Sequence, residues 1–197
     1  IRYTRSKDGR KGALYVQKNC AAHIRIYNRA FEADRWQFVG SPQRPLPSST
    51  RTVLHEVGHA IHNHPSRVAF CAYEKKVAAL RARINTYNAN LKRARRTRDR
   101  RLAAKLARES KALTAMKAAV EALSKRALSF AERGPVLDAF TKAMAGKSAP
   151  TSYGQTSLRE SFAESFSLFR SDPAALKRLL PRLYQWFASG GHVRAMR

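Results

Sequence analysis

The chain has 197 residues with 39 Lys/Arg against 13 Asp/Glu, a formal charge of +26, which is enough length for one domain with a core plus an elaboration. That imbalance predicts attraction to a polyanion: nucleic acid, an anionic membrane surface or an acidic protein. No stretch approaches the roughly 20 apolar residues of a membrane span and no signal peptide is visible, while Cys20 and Cys71 are too few for a disulfide scaffold and are not spaced as a metal pair.

The cysteines therefore read as buried free thiols, which favours a reducing compartment. The chain opens on Ile1 rather than Met, as a fragment or a processed form does. Within residues 1–40, Ala13-Leu14-Tyr15-Val16, His23-Ile24-Arg25-Ile26-Tyr27 and Trp36-Gln37-Phe38-Val39 are β-prone runs and predict a small N-terminal sheet or hairpin. His23 has no partner at ligand spacing and is read as structural. Residues 41–49, with three prolines, form a loop leading into the next element.

That element carries the strongest chemical signal, Thr52-Val53-Leu54-His55-Glu56-Val57-Gly58-His59-Ala60-Ile61. On a helix, His55 and His59 are one turn apart and project from one face, so both imidazoles reach one metal. Glu56 sits about a quarter-turn away, outside the ligand set and beside the position of a water it can deprotonate. Val53, Val57 and Ile61 fall on the opposite side and pack inward, and Ser49 or Thr50 is the expected N-cap. His62 and His64 follow. A longer motif with a Gly three and a third His six residues beyond His59 fails, because those positions are His62 and Pro65. His62 shares the ligand face and is assigned a supporting or solvent role.

Residues 66–133 contain no Gly and no Pro. Apolar residues recur at spacings of three and four, first as Phe70, Tyr73, Val77, Leu80, Ile84, Tyr87, Leu91 and Ala94, then as Leu106, Leu113, Met116, Val120, Leu123, Ala127 and Phe130. The two phases do not join. The break falls in residues 93–101, where Thr97 or Asp99 can cap a new helix, so the segment predicts an antiparallel coiled-coil hairpin with arms of about 45 Å at about 1.5 Å per residue. The hairpin holds 19 Lys/Arg and five Asp/Glu, and its turn is the densest part, with Lys92, Arg93, Arg95, Arg96, Arg98, Arg100 and Arg101. A solvated coiled coil carries both signs in similar numbers; this one is expected to bind nucleic acid, another polyanion or an acidic partner.

Gly134-Pro135 ends the hairpin, and a short helix over residues 136–144 stops at Gly146. In the following helix Glu160 and Glu164 share one face, opposite Leu158, Phe162, Phe166 and Phe169. Packed dry side inward against the His55 helix, it would complete a two-His-plus-Glu metal site with an open position. Spacing leaves Glu160 and Glu164 with similar claims, and Ser157-x-x-Glu160 is also a capping box that would keep Glu160 at the backbone. Asp172-Pro173 opens a last helix with Leu176, Leu179, Leu180, Leu183, Trp186 and Phe187 inward, kinked at Pro181 and ended by Gly190-Gly191.

His55-Glu56-Val57-Gly58-His59, the segment Ser152-Tyr153-Gly154 and Glu160-Ser161-Phe162-Ala163-Glu164-Ser165-Phe166 together resemble the catalytic domain of anthrax lethal factor and its relatives, which include the Pro-Pro endopeptidases and bacterial and phage-borne domains. The resemblance covers about 70 to 90 residues. It implies a gluzincin-like α+β, mainly helical fold, Zn²⁺ as cofactor, Glu160 as the third ligand, Glu56 as general base, Tyr153 as hydroxyl donor to the reacting oxygen and Glu164 as the carboxylate orienting a ligand histidine. The departure is the basic insert between His59 and Glu160. The organisation expected is thus 1–65 for sheet and zinc helix, 66–133 for the hairpin, and 134–197 for the third-ligand and closing helices, in a zinc endopeptidase of the cytoplasm or a phage particle acting on protein or peptide. A non-catalytic nucleic-acid-associated or virion protein keeping the fold is the alternative; a DNA-associated protease of the SprT-like type would place a histidine where Glu160 stands.

Overall fold

A computed structural model of the chain describes residues 2–6, 13–18, 20–27 and 48–197. Strands β1 (Arg2–Ser6), β2 (Ala13–Lys18) and β3 (Ala21–Tyr27) form one sheet in the order β1-β3-β2. β2 runs antiparallel to β3, with Tyr15 opposite Ile24, and β1 runs parallel to β3, with Tyr3 opposite Ile24. Ile24 is fully buried. The run Arg2-Tyr3-Thr4-Arg5-Ser6 carries little apolar content, so β1 gives no period-two hydrophobic signal and was not anticipated. The β-prone run Trp36-Gln37-Phe38-Val39 lies outside the described residues.

Everything else described is mainly helical. Helix α1 (Ser48–His62) begins earlier than the capping pattern suggests, so Ser49 and Thr50 occupy its first turn rather than its cap. Only Asn63 separates it from α2 (His64–Thr97), whose second residue, Pro65, needs no intrahelical N–H donor there. α3 (Arg100–Glu132), α4 (Pro135–Met144) and α5 (Leu158–Ser171) follow. The expected kinked closing helix is instead two helices, α6 (Pro173–Leu179) and α7 (Pro181–Ala188), because Leu180 between them leaves the helical region at φ −137° and ψ 68°. Asp172 Oδ1 caps α6 by accepting from the N–H of Ala175 at 2.8 Å. Leu179, assigned inward from its spacing, is 37% exposed. α7 stops just before Gly190, which lies in the left-handed region at φ 74°, and where a basic tail was expected a short helix, α8 (Gly191–Arg194), follows.

The chain divides into two compact units, residues 1–67 with 130–197, and residues 68–129. The first has its core where α4, α5, α6 and α7 meet, around Val136, Phe140, Phe162, Leu168, Leu176, Leu183 and Phe187, with Val57 and Ile61 of α1 packed against it. Phe162 is the hub, with edge-to-face partners Phe140 at 5.2 Å and Phe187 at 5.8 Å between ring centroids. Gly58 lets α1 lie close to α5: a Cβ there would meet the Cα of Ala163 at 2.8 Å. Ser167 adds a buried tie, its hydroxyl donating to the Arg51 carbonyl at 3.1 Å.

The second unit is an antiparallel helical pair, in which Arg83 of α2 pairs with Glu109 of α3 and reaches the sulfur of Met116 at 3.2 Å. Ala69, Leu80, Ala94, Leu106 and Ala127 are its buried apolar side chains, and of the first apolar seam Ile84 alone is exposed. The turn is made by Arg98, in the left-handed region at φ 53°, and by Asp99, whose Oδ1 accepts from the N–H of Leu102 at 2.9 Å. Of the two cap candidates, Asp99 is the one used. Thr97 bonds back to the Arg93 carbonyl.

The cysteine reading is corrected: neither cysteine is a free thiol, and Cys20 and Cys71 are joined as a disulfide. Among the described residues no helix is long and apolar enough to cross a membrane.

Candidate metal centre

α1 and α5 carry the site between them. His55 and His59 stand one turn apart on α1, with Nε2 atoms 3.0 Å from each other. Glu160, in the first turn of α5, places Oε2 3.0 Å from His55 Nε2 and 3.3 Å from His59 Nε2. These three side chains could hold a metal ion, and they are the set found among the described residues. The capping box of α5 is half formed. Ser157 accepts from the Glu160 backbone N–H at 3.2 Å, while the Glu160 carboxylate turns to the histidines instead of back to the cap.

The far side of each imidazole is also engaged. His55 Nδ1 lies 2.6 Å from Glu164 Oε1, and the other carboxylate oxygen of Glu164 accepts from the Thr151 hydroxyl at 2.9 Å. Thr151 in turn accepts from the N–H of Gly154 at 2.9 Å. Gly154 has no room for a side chain, since a Cβ would meet Ala149 Cβ at 2.9 Å and Glu164 Cβ at 3.3 Å. His59 Nδ1 lies 2.9 Å from Nε2 of His62, which is buried and packs edge-to-face on Phe162. Burial first, then the charges of His59 and Arg159, lowers the pKa of His62 to about 3, so at neutral pH it is uncharged and its Nε2 can accept from His59 Nδ1–H in the matching tautomer. Thr151 and the role of His62 toward His59 were not legible in the spacing; His62 sharing the ligand face was the one available hint.

These outer contacts decide what the inner atoms are. With Nδ1–H of His55 donated to Glu164 and Nδ1–H of His59 donated to His62, both Nε2 atoms are left to hold either a proton or a metal ion. They meet a carboxylate oxygen that is buried and makes no well-formed hydrogen bond. Such a convergence is repulsive unless a positive charge, a proton or a metal ion, lies within it. The residues therefore fit a divalent cation, and two imidazole nitrogens with one carboxylate oxygen suit a borderline metal. The same convergence governs protonation. Burial would lower the pKa of His55, but contacts with Glu160 and Glu164 and the charge of Glu56 outweigh it and raise the value to about 9. For Glu160 burial acts upward, and His55 and His59 overcome it and hold the carboxyl well below the usual carboxylate range.

Glu56 is buried, and its Oε2 accepts the backbone N–H of Tyr15 in β2 at 2.5 Å. The sheet thus fixes the carboxylate that follows His55. Tyr153 opens a 3-10 turn over Tyr153–Thr156, held by the Thr156 hydroxyl donating to the Tyr153 carbonyl at 2.7 Å. Its ring lies 5.8 Å from that of His55 and is 41% exposed. Its pKa is raised, first by burial and then by the charge of Glu160 and a hydrogen bond to that carboxylate. The structure thus gathers His55, Glu56, His59, Tyr153, Glu160 and Glu164 around one point, whereas Lys92, Arg93, Arg95, Arg96, Arg98, Arg100 and Arg101 all stand exposed at the turn of the helical pair.

No protein-family model, curated protein or solved structure matches this chain.

Proposed function

We propose that the chain is a zinc-dependent endopeptidase of the anthrax lethal factor-like type, with a gluzincin-like arrangement of α1 and α5. The observation that carries the reading is the meeting of His55 Nε2, His59 Nε2 and Glu160 Oε2, with Glu164 behind His55 and Glu56 held beside the group. A metal-binding site alone needs three ligands; a buried carboxylate next to them, placed by a strand, and a half-exposed phenol on the same side are what hydrolysis additionally needs.

Bound by these three residues, zinc would supply Lewis-acid polarisation of a scissile carbonyl and acidify a water. Glu56 acts as general base: Tyr15 N–H holds Oε2, and the remaining lone pairs of the carboxylate accept the proton of the attacking water and return it to the leaving amine. Tyr153 donates its hydroxyl to the oxygen on which charge develops. Glu164 keeps His55 in the Nδ1–H tautomer, and His62 does the same for His59.

The test is the metal content of the purified chain, then a peptide-library digest with wild type and Glu56→Ala. Zinc in both proteins and cleavage by wild type alone is the expected result. A chain that holds metal yet leaves every peptide intact would be the non-catalytic, nucleic-acid-associated protein instead.

A further inference from the structure

The turn of the helical pair has more than charge. Between α2 and α3 lies a cleft of about 540 Å³ whose floor is Tyr87, Leu91 and Leu106 and whose rim carries Arg95, Arg98 and Arg100. The floor is mainly apolar and includes one aromatic ring; Tyr87 is half-buried and Leu106 buried. Ala94 on α2 and Ala103 on α3, also in the lining, leave the floor wide. Around the cleft, all seven basic side chains of residues 92–101 are exposed, and none makes an ion pair among the described residues. The one acidic residue of that stretch, Asp99, spends a carboxylate oxygen on the Leu102 N–H. Six of the seven are arginine, whose planar fork matches phosphate oxygens in pairs.

From this juxtaposition we infer that the turn is a binding site for single-stranded nucleic acid, with phosphates on Arg95, Arg98 and Arg100 and a base lying on the Tyr87 floor. A duplex presents phosphates but keeps its bases stacked, so it would satisfy the arginines and leave the apolar floor uncovered. A single strand offers both at once, anionic backbone and unstacked rings, which is the pairing that such sites use. An acidic amphipathic peptide is the other occupant with matching charge. It is disfavoured because the floor is one aromatic wide, whereas a docked helix needs anchors repeating every three to four residues. This inference is independent of the metal centre, since every residue it uses lies within residues 87–107.

The experiment is fluorescence anisotropy on the full chain with a labelled oligothymidylate of about 12 nucleotides, a length within the usual range of single-strand sites. A duplex of equal length and an acidic amphipathic peptide serve as competitors. The single strand should bind more tightly than the duplex, and Tyr87→Ala should weaken it roughly tenfold or more while Tyr87→Phe leaves it unchanged. Duplex binding should not respond to Tyr87. Replacing Arg95, Arg98 and Arg100 by Gln should make the slope of log affinity against log salt shallower by about 2, at about 0.7 per lost phosphate contact. If Tyr87→Ala lowers helicity by circular dichroism, Tyr87→Leu keeps the volume without the ring and is read in its place, with the same loss expected. Equal binding of duplex and single strand with no effect at Tyr87 would reduce the site to a phosphate-reading patch and overturn the proposal. Displacement of the oligonucleotide by the peptide at lower concentration than by duplex would assign the cleft to a protein partner, and absence of binding to any probe would remove the site altogether.

Discussion

His55 meets Glu164 through Nδ1 at 2.6 Å, on the side of the ring away from Glu160. The two glutamates are one turn apart on α5 and contact the same imidazole, but through different nitrogens, and that difference assigns them different work. Glu160→Gln should lose the metal, because an amide oxygen is a poor anionic ligand and the two Nε2 atoms alone do not hold the ion. Glu164→Gln should keep it with affinity lowered on the order of 10- to 100-fold, the usual effect of removing a carboxylate behind a ligand histidine. Zinc competition against a chromogenic chelator measures both. The reverse order would mean that the carboxylates have exchanged roles.

Glu56→Gln should retain zinc and abolish peptide turnover. The amide can still accept from Tyr15 N–H through its oxygen, so the geometry survives while the proton acceptor is gone. Tyr153→Phe should leave zinc occupancy intact and lower turnover on the order of 10²-fold. Unchanged turnover in the phenylalanine variant would make Tyr153 a packing residue of the 3-10 turn.

The readable part of the site was the part set by local helix geometry. His55, Glu56 and His59 are adjacent on one helix, so their spacing alone put them around one point. Glu160 and Glu164 lie on a second helix, and choosing between them needs the axial register of α5 against α1. That register depends on the contact of Gly58 with Ala163 and on the Ser167 to Arg51 tie, both far apart in sequence. The capping-box pattern was a true signal for the backbone and a false one for the side chain: Ser157 does cap, but Glu160 does not return the bond. The helical pair was legible because periodicity and the missing Gly and Pro are local features. β1 was not, since a strand of Arg, Tyr, Thr and Ser owes its place to pairing with β3 rather than to its own pattern. Nor was the Cys20 to Cys71 bond: two cysteines allow one pairing, and their count does not say whether the fold brings the sulfurs together.

Proton and metal compete for His55, and the sign of the pH dependence follows. In the folded chain its pKa is raised from 6.5 to about 9. The stabilisation it contributes to the metal-free protein is therefore complete below 6.5 and is lost as pH rises through 9. Zinc uptake displaces that proton, so zinc affinity should rise over the same window. The melting temperature of the EDTA-treated chain should fall between pH 6.5 and 9, the zinc-induced increase should grow, and His55→Gln should show neither trend. Parallel curves for wild type and His55→Gln would mean that the imidazole does not hold the proton.

Gly58 sits in α1 at the point where α1 and α5 touch, and the space it leaves is the condition for a site shared between them. A Cβ at this position would lie 2.8 Å from the Cα of Ala163 and 3.3 Å from its Cβ and its carbonyl oxygen. The first neighbour is backbone and cannot rotate aside, so Gly58→Ala must move one helix relative to the other. Alanine gains about 1 kcal/mol of helix propensity over glycine, against about 1 to 3 kcal/mol for overpacking a tight contact, and the backbone clash puts the cost at the upper end. The variant should lose about 1 to 2 kcal/mol in urea unfolding. It should lose zinc affinity more than tenfold, because His55 and His59 ride on α1 and Glu160 on α5, and misplacing ligands by a few tenths of an ångström spoils a tetrahedral set. Ala163→Gly added to it should restore only part of either loss, since the closest contact is with a Cα that glycine also has. Full rescue would show that the side chain of Ala163, rather than the spacing of the two backbones, sets the geometry of the metal centre.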